Sequence, residues 1–239
     1  MWTYLAIFLS VALLAGVFTR RYVLFSSLSS KKEEEEVDDV IEHDKRRISK
    51  EDREKIETLL KRGEALLKTG KDEEAVKCFV QILSIDPSHA ETQNKLAVLY
   101  LQKQMFGAAA ALFKQLSETS PDPVHFSHLG LALFSQSDFE NAKTAYQKAL
   151  ELDSSRPQRF VSLSHVYRAL GQLHHAIVAL NKALELEEEN FEFLFLLADL
   201  HTELQKPTHA KYFLNRVLEI DPKNPDAKKL LKELDSPDL

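Results

Sequence analysis

Cysteine occurs once in the 239 residues, as Cys78, so no internal disulfide can form and the fold requires no oxidising compartment. Cys78 follows Lys77 in a helical pattern and reads as an ordinary packed or semi-buried thiol. Glycine and proline are also scarce, 6 and 8 residues against 28% charged ones. Helix interiors exclude both residues, so the shortage argues for long helices joined by short connections. An excess of positive charge is missing too: 31 Lys and Arg face 37 Asp and Glu, a net charge of -6. With no basic field, and no Lys or Arg interleaved with aromatics at RNA-binding spacing, nucleic acid is excluded as the partner.

The signatures of catalysis are equally absent. No glycine-rich phosphate loop follows a strand, and no G-x-S-x-G elbow, HExxH pair or cysteine pair occurs. The histidines do not make up for this. His125 and His128 lie three apart, His174 and His175 are adjacent, and His165, His201 and His209 are scattered, without the convergent ligands that metal chemistry needs. The chain is therefore read as a non-enzyme that holds no metal, no cofactor and no small-molecule substrate.

What is present begins with an apolar run. Trp2 to Phe18 carries no charge, Thr19 extends it, and Arg20 and Arg21 close it. An α-helix rises about 1.5 Å per residue, so ~18–20 residues cross the ~30 Å hydrocarbon layer. Tyr22 and Phe25 fall where headgroups would lie, and residues 1–25 are read as a single transmembrane helix or signal anchor. A cleaved signal peptide would open on basic residues and end at a small-residue site, and a surface helix would show a polar face; this run has neither. Arg20, Arg21, Lys31 and Lys32 follow the run and none precedes it, which makes the remainder cytoplasmic. Residues 26–49, with Glu33 to Glu36, Asp38 and Asp39, read as a charged flexible linker. Ser49 with Asp52 then forms an N-cap pattern, and a folded domain is expected over 50–235.

That domain repeats itself. Five segments, 56–89, 90–122, 123–156, 157–190 and 191–224, align at a period of 33 or 34 residues. Their eighth residue is small (Gly63, Ala97, Gly130, Ser164, Ala198) and their twentieth is always alanine (Ala75, Ala109, Ala142, Ala176, Ala210). Small residues on both helices of a pair let the backbones close into a hairpin. Large apolar groups follow on the second helix: Phe79, Phe113, Tyr146, Leu180 and Leu214. Gly70 and Gly171 mark the end of the first helix, with Gln104, Ser137 and Gln205 in the equivalent places. Pro87, Pro121 and Pro222 end the second helix.

This pattern resembles the tetratricopeptide repeat family from Ile56 to Asn224, about seventy per cent of the chain. The resemblance implies an all-α fold, a right-handed solenoid of five helix pairs whose first helices line a concave groove. Residues 225–235 resemble the capping helix that follows a last repeat, with Leu230, Leu231 and Leu234 as its buried stripe. Carried over position by position, the groove of the family falls on Leu60, Glu64, Leu67, Asn94, Val98, Leu101, Ser127, Leu131, Phe134, Val161, His165, Arg168, Phe195, Asp199 and Thr202. Leu60 and Glu64 stand where the carboxylate clamp of chaperone-tail receptors needs Lys and Asn, so that clamp is not expected. A largely apolar groove suits a peptide or an amphipathic helix of a protein partner. The expected function is a membrane-anchored scaffold or adaptor. The alternative is an exported assembly factor or chaperone of envelope proteins, which would require the first segment to be cleaved or to face the other way.

Overall fold

The computed structural model describes residues 48–235. The expected membrane helix over 1–25, and all of the expected linker except Ile48 and Ser49, lie outside the described residues. Among the described residues no helix is long and apolar enough to cross a membrane. The chain divides into two units, Met1–Arg53 and Glu54–Leu239. In the first, Asp52 N donates to Ser49 Oγ at 3.0 Å and Ser49 Oγ donates to Asp52 Oδ2 at 2.8 Å, the cap expected of this pair.

The described residues form eleven helices and short turns. The first helices of the repeats are α1 (Lys50–Lys68), α3 (Ala90–Gln102), α5 (Pro123–Ser135), α7 (Pro157–Ala169) and α9 (Phe191–Glu203). The second helices are α2 (Asp72–Ile85), α4 (Phe106–Thr119), α6 (Phe139–Leu152), α8 (Leu173–Leu186) and α10 (Pro207–Ile220), and α11 (Pro225–Leu234) follows. Side chains cap many of the starts: Asp122 accepts from Val124 N, Asp138 from Asn141 N, Asn190 from Phe193 N and Asn224 from Ala227 N.

Each hairpin closes at the small positions. A Cβ on Gly63 would stand 2.6 Å from the Phe79 ring, and one on Gly130 would stand 2.8 Å from the Tyr146 ring. Neither ring leaves room for a side chain, so glycine here serves close approach rather than flexibility. All five alanines at the twentieth position are wholly buried. The turns are uniform as well. Gly70, Gln104, Ser137, Gly171 and Gln205 all have φ between 55° and 73°. The next residue's N–H reaches back five residues in every case, from Lys71 to Leu66 O, Met105 to Tyr100 O, Asp138 to Leu133 O, Gln172 to Tyr167 O and Lys206 to His201 O. This is the Schellman closure of a helix end.

The core is a chain of clusters between neighbouring pairs. Ala97, Phe113, Leu116 and Leu129 pack between the second and third repeats, and Ala142, Tyr146, Leu163 and Val166 between the third and fourth. The largest cluster runs from Val161 through Leu180, Phe193, Leu194 and Leu214 to Ala227 of α11. Cys78 is buried in α2. The last helix differs from expectation: Ala227 is its fully buried residue, Leu231 and Leu234 are half-buried, and Leu230 is 38% exposed. A cap seals only the rim it reaches, and Leu230 lies beyond it.

Candidate partner-binding groove

The first helix of each pair turns one side into its own hairpin, through the residue at position eight, and leaves another side free. Leu60, Glu64, Leu67, Asn94, Val98, Leu101, Ser127, Phe134, Arg168 and Phe195 are half-buried, and Leu131, His165, Asp199 and Thr202 are exposed. Val161 is the exception. It is 5% exposed and packs in the core cluster with Ile177, Leu180 and Leu194, so it offers no surface to a partner. The side chain at this place in the fourth repeat is drawn into the junction with the fifth.

Glu64, Ser127, Arg168 and Asp199 of this set are engaged by side chains of an adjacent first helix. Lys95 of α3 meets Glu64 of α1 at 2.8 Å and Glu91 at 3.4 Å. Its hydrogen bond, reinforced by charge, holds the Glu64 carboxyl below its ordinary pKa, and Glu64 in turn raises that of Lys95. Arg168 of α7 bridges two carboxylates of α9, Asp199 at 2.7 Å and Glu203 at 2.8 Å. Ser127 Oγ donates to Pro123 O at 2.6 Å and accepts from Arg159 Nε at 3.2 Å. Thr202 Oγ1 donates to Ala198 O at 2.9 Å. His165 has its pKa lowered, first by desolvation and then by Arg168. Asn94 Oδ1 is buried and has no hydrogen-bond partner among the described residues. Long exposed pairs of this kind contribute little stability each, but they neutralise the groove and leave its leucines and phenylalanines as the open surface.

Two clefts open along this face. One, of about 260 Å³, lies between α5 and α7; Val124, Ser127 and Leu131 face Gln158 and Ser162, with His128, Tyr146, Arg156 and Arg159 around them. The other, of about 350 Å³, lies between α9 and α11, where Phe195, Asp199 and Thr202 meet Leu230, Glu233 and Leu234. The structure thus brings Ser127 and Leu131 together, and likewise Phe195, Asp199 and Thr202. Tyr146, expected to pack within its hairpin, Leu230, expected in the buried stripe of the cap, and His128 and Arg156 were not among the expected groove residues. Tyr146 sits on a second helix but reaches the cleft because Gly130 gives its ring passage. A third cleft of about 450 Å³, between α4 and α6 over Phe126, Leu129 and Leu133, contains none of the anticipated residues.

Among the described residues, no group of three or more His, Cys, Asp and Glu side chains is placed to hold a metal ion. His201 instead stacks on His209 and Phe213, with ring centroids 5.1 and 5.4 Å away. His128 tilts against Phe113 at 5.0 Å. Burial lowers the pKa of both histidines, and the Nδ1 atom of each lacks a hydrogen-bond partner among the described residues.

Comparison with known proteins bears on the fold. Residues 56–89, 125–156 and 167–234 match family models of the tetratricopeptide repeat. A crystal structure of MamA protein superposes with a TM-score of 0.68 at 20% identity, over 71% of this chain and 93% of that one. MamA 41-end from Desulfovibrio magneticus RS-1 gives 0.66 at 15% identity, over 74% and 99%. YrrB, described as a TPR protein with an unusual peptide-binding site, gives 0.63 at 18% identity, over 73% and 90%. No curated protein matches the chain in sequence. At these identities the likeness is one of fold.

Proposed function

The chain belongs to the tetratricopeptide repeat family, and from that premise we propose that it is a membrane-tethered adaptor that holds a peptide or amphipathic helix of a protein partner in its concave groove. The observation that carries this reading is the side-chain arrangement on the first helices. Leu60, Leu67, Val98, Leu101, Leu131, Phe134 and Phe195 remain half-buried or exposed, while the charges beside them are matched within the molecule. Such a surface gains from covering its apolar groups and has few free charges to desolvate. Recognition by apolar anchors at helical spacing follows from it. A peptide-binding TPR protein among the structural neighbours is consistent with the same use of the fold.

The tether rests on the uncharged run from Trp2 to Phe18 and on the arginines that close it. Holding the groove near a bilayer raises the effective concentration of anything bound there, so a weak groove can still organise an assembly. A photoreactive residue at Leu131 of the full chain should capture a partner that the same residue at Leu186, exposed on α8, does not. Equal capture at both sites would sink the groove. Extraction at alkaline pH should leave the full chain in the membrane, and its release would sink the tether. A carboxy-terminal reporter should be active only on the cytoplasmic side; activity outside would favour the exported assembly factor instead.

A further inference from the structure

The cleft between α5 and α7 differs from the rest of the groove in its charge. Nine residues surround it and none is acidic. Arg159 adds no net charge: it is 5% exposed, and its Nη1 donates to Asp153 O at 2.7 Å and Asp153 Oδ2 at 2.5 Å. Hydrogen bonds from Ser155 and Arg159 hold the Asp153 carboxyl well below the usual range, so this pair stays matched. His128 is kept neutral by desolvation, with its Nδ1 buried and unpartnered among the described residues. Tyr146 is protonated, since burial pushes its phenol up to about 12.

Arg156 therefore remains as an exposed cation with no carboxylate against it among the described residues, beside the amide of Gln158 and the hydroxyl of Ser162, which also bonds the Tyr146 phenol. The mouth of the cleft is apolar, with Val124 37% and Leu131 44% exposed.

We propose that this cleft is an anion subsite of the groove, in which Arg156, Ser162 and Gln158 receive the side-chain carboxylate of an Asp or Glu in the bound peptide while Val124 and Leu131 take its apolar neighbour. The proposal rests on the groove reading above and adds the chemistry and polarity of the partner. A carboxylate entering here meets a guanidinium and hydroxyl and amide donors in a partly desolvated setting, where charge-assisted bonds are strongest. At the far end of the groove the cleft between α9 and α11 is lined by Asp199 and Glu233 and by no basic residue, so it offers the same group no counter-charge. The acidic residue of the partner is thereby directed to the third and fourth repeats, and the segment has one favoured orientation.

Selection of random dodecapeptides with amidated ends against the full chain tests this directly. The wild type should enrich peptides with Asp or Glu beside an apolar residue. Arg156→Gln should weaken those peptides about tenfold, the loss expected for one charge-assisted contact, and Arg156→Glu should shift the enrichment toward Lys or Arg. Arg156 is exposed, so the variants retain the fold. Acidic peptides that bind Arg156→Glu with unchanged affinity would overturn the subsite, as would enriched peptides with no acidic preference. In either case, a loss of binding on Leu131→Asp would show the groove reading intact. Peptides indifferent to Leu131→Asp, or no enrichment with either amidated or free C termini, would overturn the groove itself. Selection only when a free C terminus is restored would assign the anion to a terminal carboxylate and overturn the side-chain assignment.

Discussion

The hairpins of repeats one and three solve the same packing problem differently from those of repeats four and five. In the first pair a glycine faces an aromatic ring, Gly63 against Phe79 and Gly130 against Tyr146. In the second pair Ser164 and Ala198 occupy the glycine's place, and Leu180 and Leu214 that of the ring. Volume missing on one helix is supplied by the other, because the interior is close-packed and the space between the two helices is shared. Repeat two lies between these solutions, with Ala97 and Phe113 both wholly buried. A repeat family is therefore defined here by the pair of positions, and neither residue can be read without the other.

Breaking the tighter solution should have the largest effect. Gly63→Ala places a Cβ 2.6 Å from the Phe79 ring. It should cost about 1–3 kcal/mol by overpacking, even though alanine is the better helix former by about 1 kcal/mol. In a Phe79→Leu background, which imitates repeats four and five, the same change should be neutral or stabilising. Denaturant unfolding of the four members of this cycle measures the coupling. Additive effects would show that the two positions do not share one space. The looser solution should fail in the opposite sense, and by somewhat less: Leu180→Phe should cost about 1–2 kcal/mol and be relieved by Ser164→Gly. A Leu180→Phe variant as stable as the wild type would remove the distinction between the repeats.

The two halves should also respond to acid, more weakly than to steric change. His128 packs on Phe113 between repeats two and three, and His201 packs on His209 and Phe213 in repeat five. Desolvation lowers both pKa values, with His125 adding to it at His128, and His209, Lys206 and His174 at His201. A histidine held below its ordinary pKa of about 6.5 favours the folded state when neutral. The stability it contributes is present above that value and is lost as pH falls from it through the lowered pKa of the folded state. The denaturant midpoint should therefore drop between pH 7 and pH 5, and drop less in His201→Phe. An equal drop would mean that His201 does not titrate with unfolding.

What could be read from the sequence follows the same division. Positions that close the hairpins were legible because a backbone approach leaves only a few residue types possible, as at Gly63, Ala75 and Gly130. The cap at Ser49 was legible because it is local. The matching of Arg168 with Asp199 and Glu203 was not, since it depends on how α7 and α9 sit side by side and on the reach of long side chains. Register could not separate Val161, which is drawn into the core, from Leu131, which stands at another groove position of the preceding repeat and is 44% exposed. Arg156 escaped notice because it lies in the turn between repeats, outside any helix register. Tyr146 was assigned to packing alone, and its second role appears only when the cleft above it is seen.

The turns give the finest comparison, because there the repeats differ in sequence and agree in shape. Gly70 and Gly171 occupy the left-handed region at no steric cost, whereas Gln104, Ser137 and Gln205 adopt it with a Cβ. For such residues the conformation costs roughly 1–2 kcal/mol. Replacing Gln104 with glycine removes that strain and returns part of the gain as added freedom in the unfolded chain, which leaves a net stabilisation of about 0.5–1 kcal/mol. The reverse change, Gly171→Ala, meets no atom within 4 Å of the new Cβ, so any loss must come from the backbone alone. It should destabilise by about 1 kcal/mol. Opposite signs in thermal unfolding of the two variants would show that the Schellman hydrogen bonds hold the turn in place and that its residue sets only the strain. Two losses would show instead that the Gln104 side chain stabilises its turn in a way glycine cannot replace.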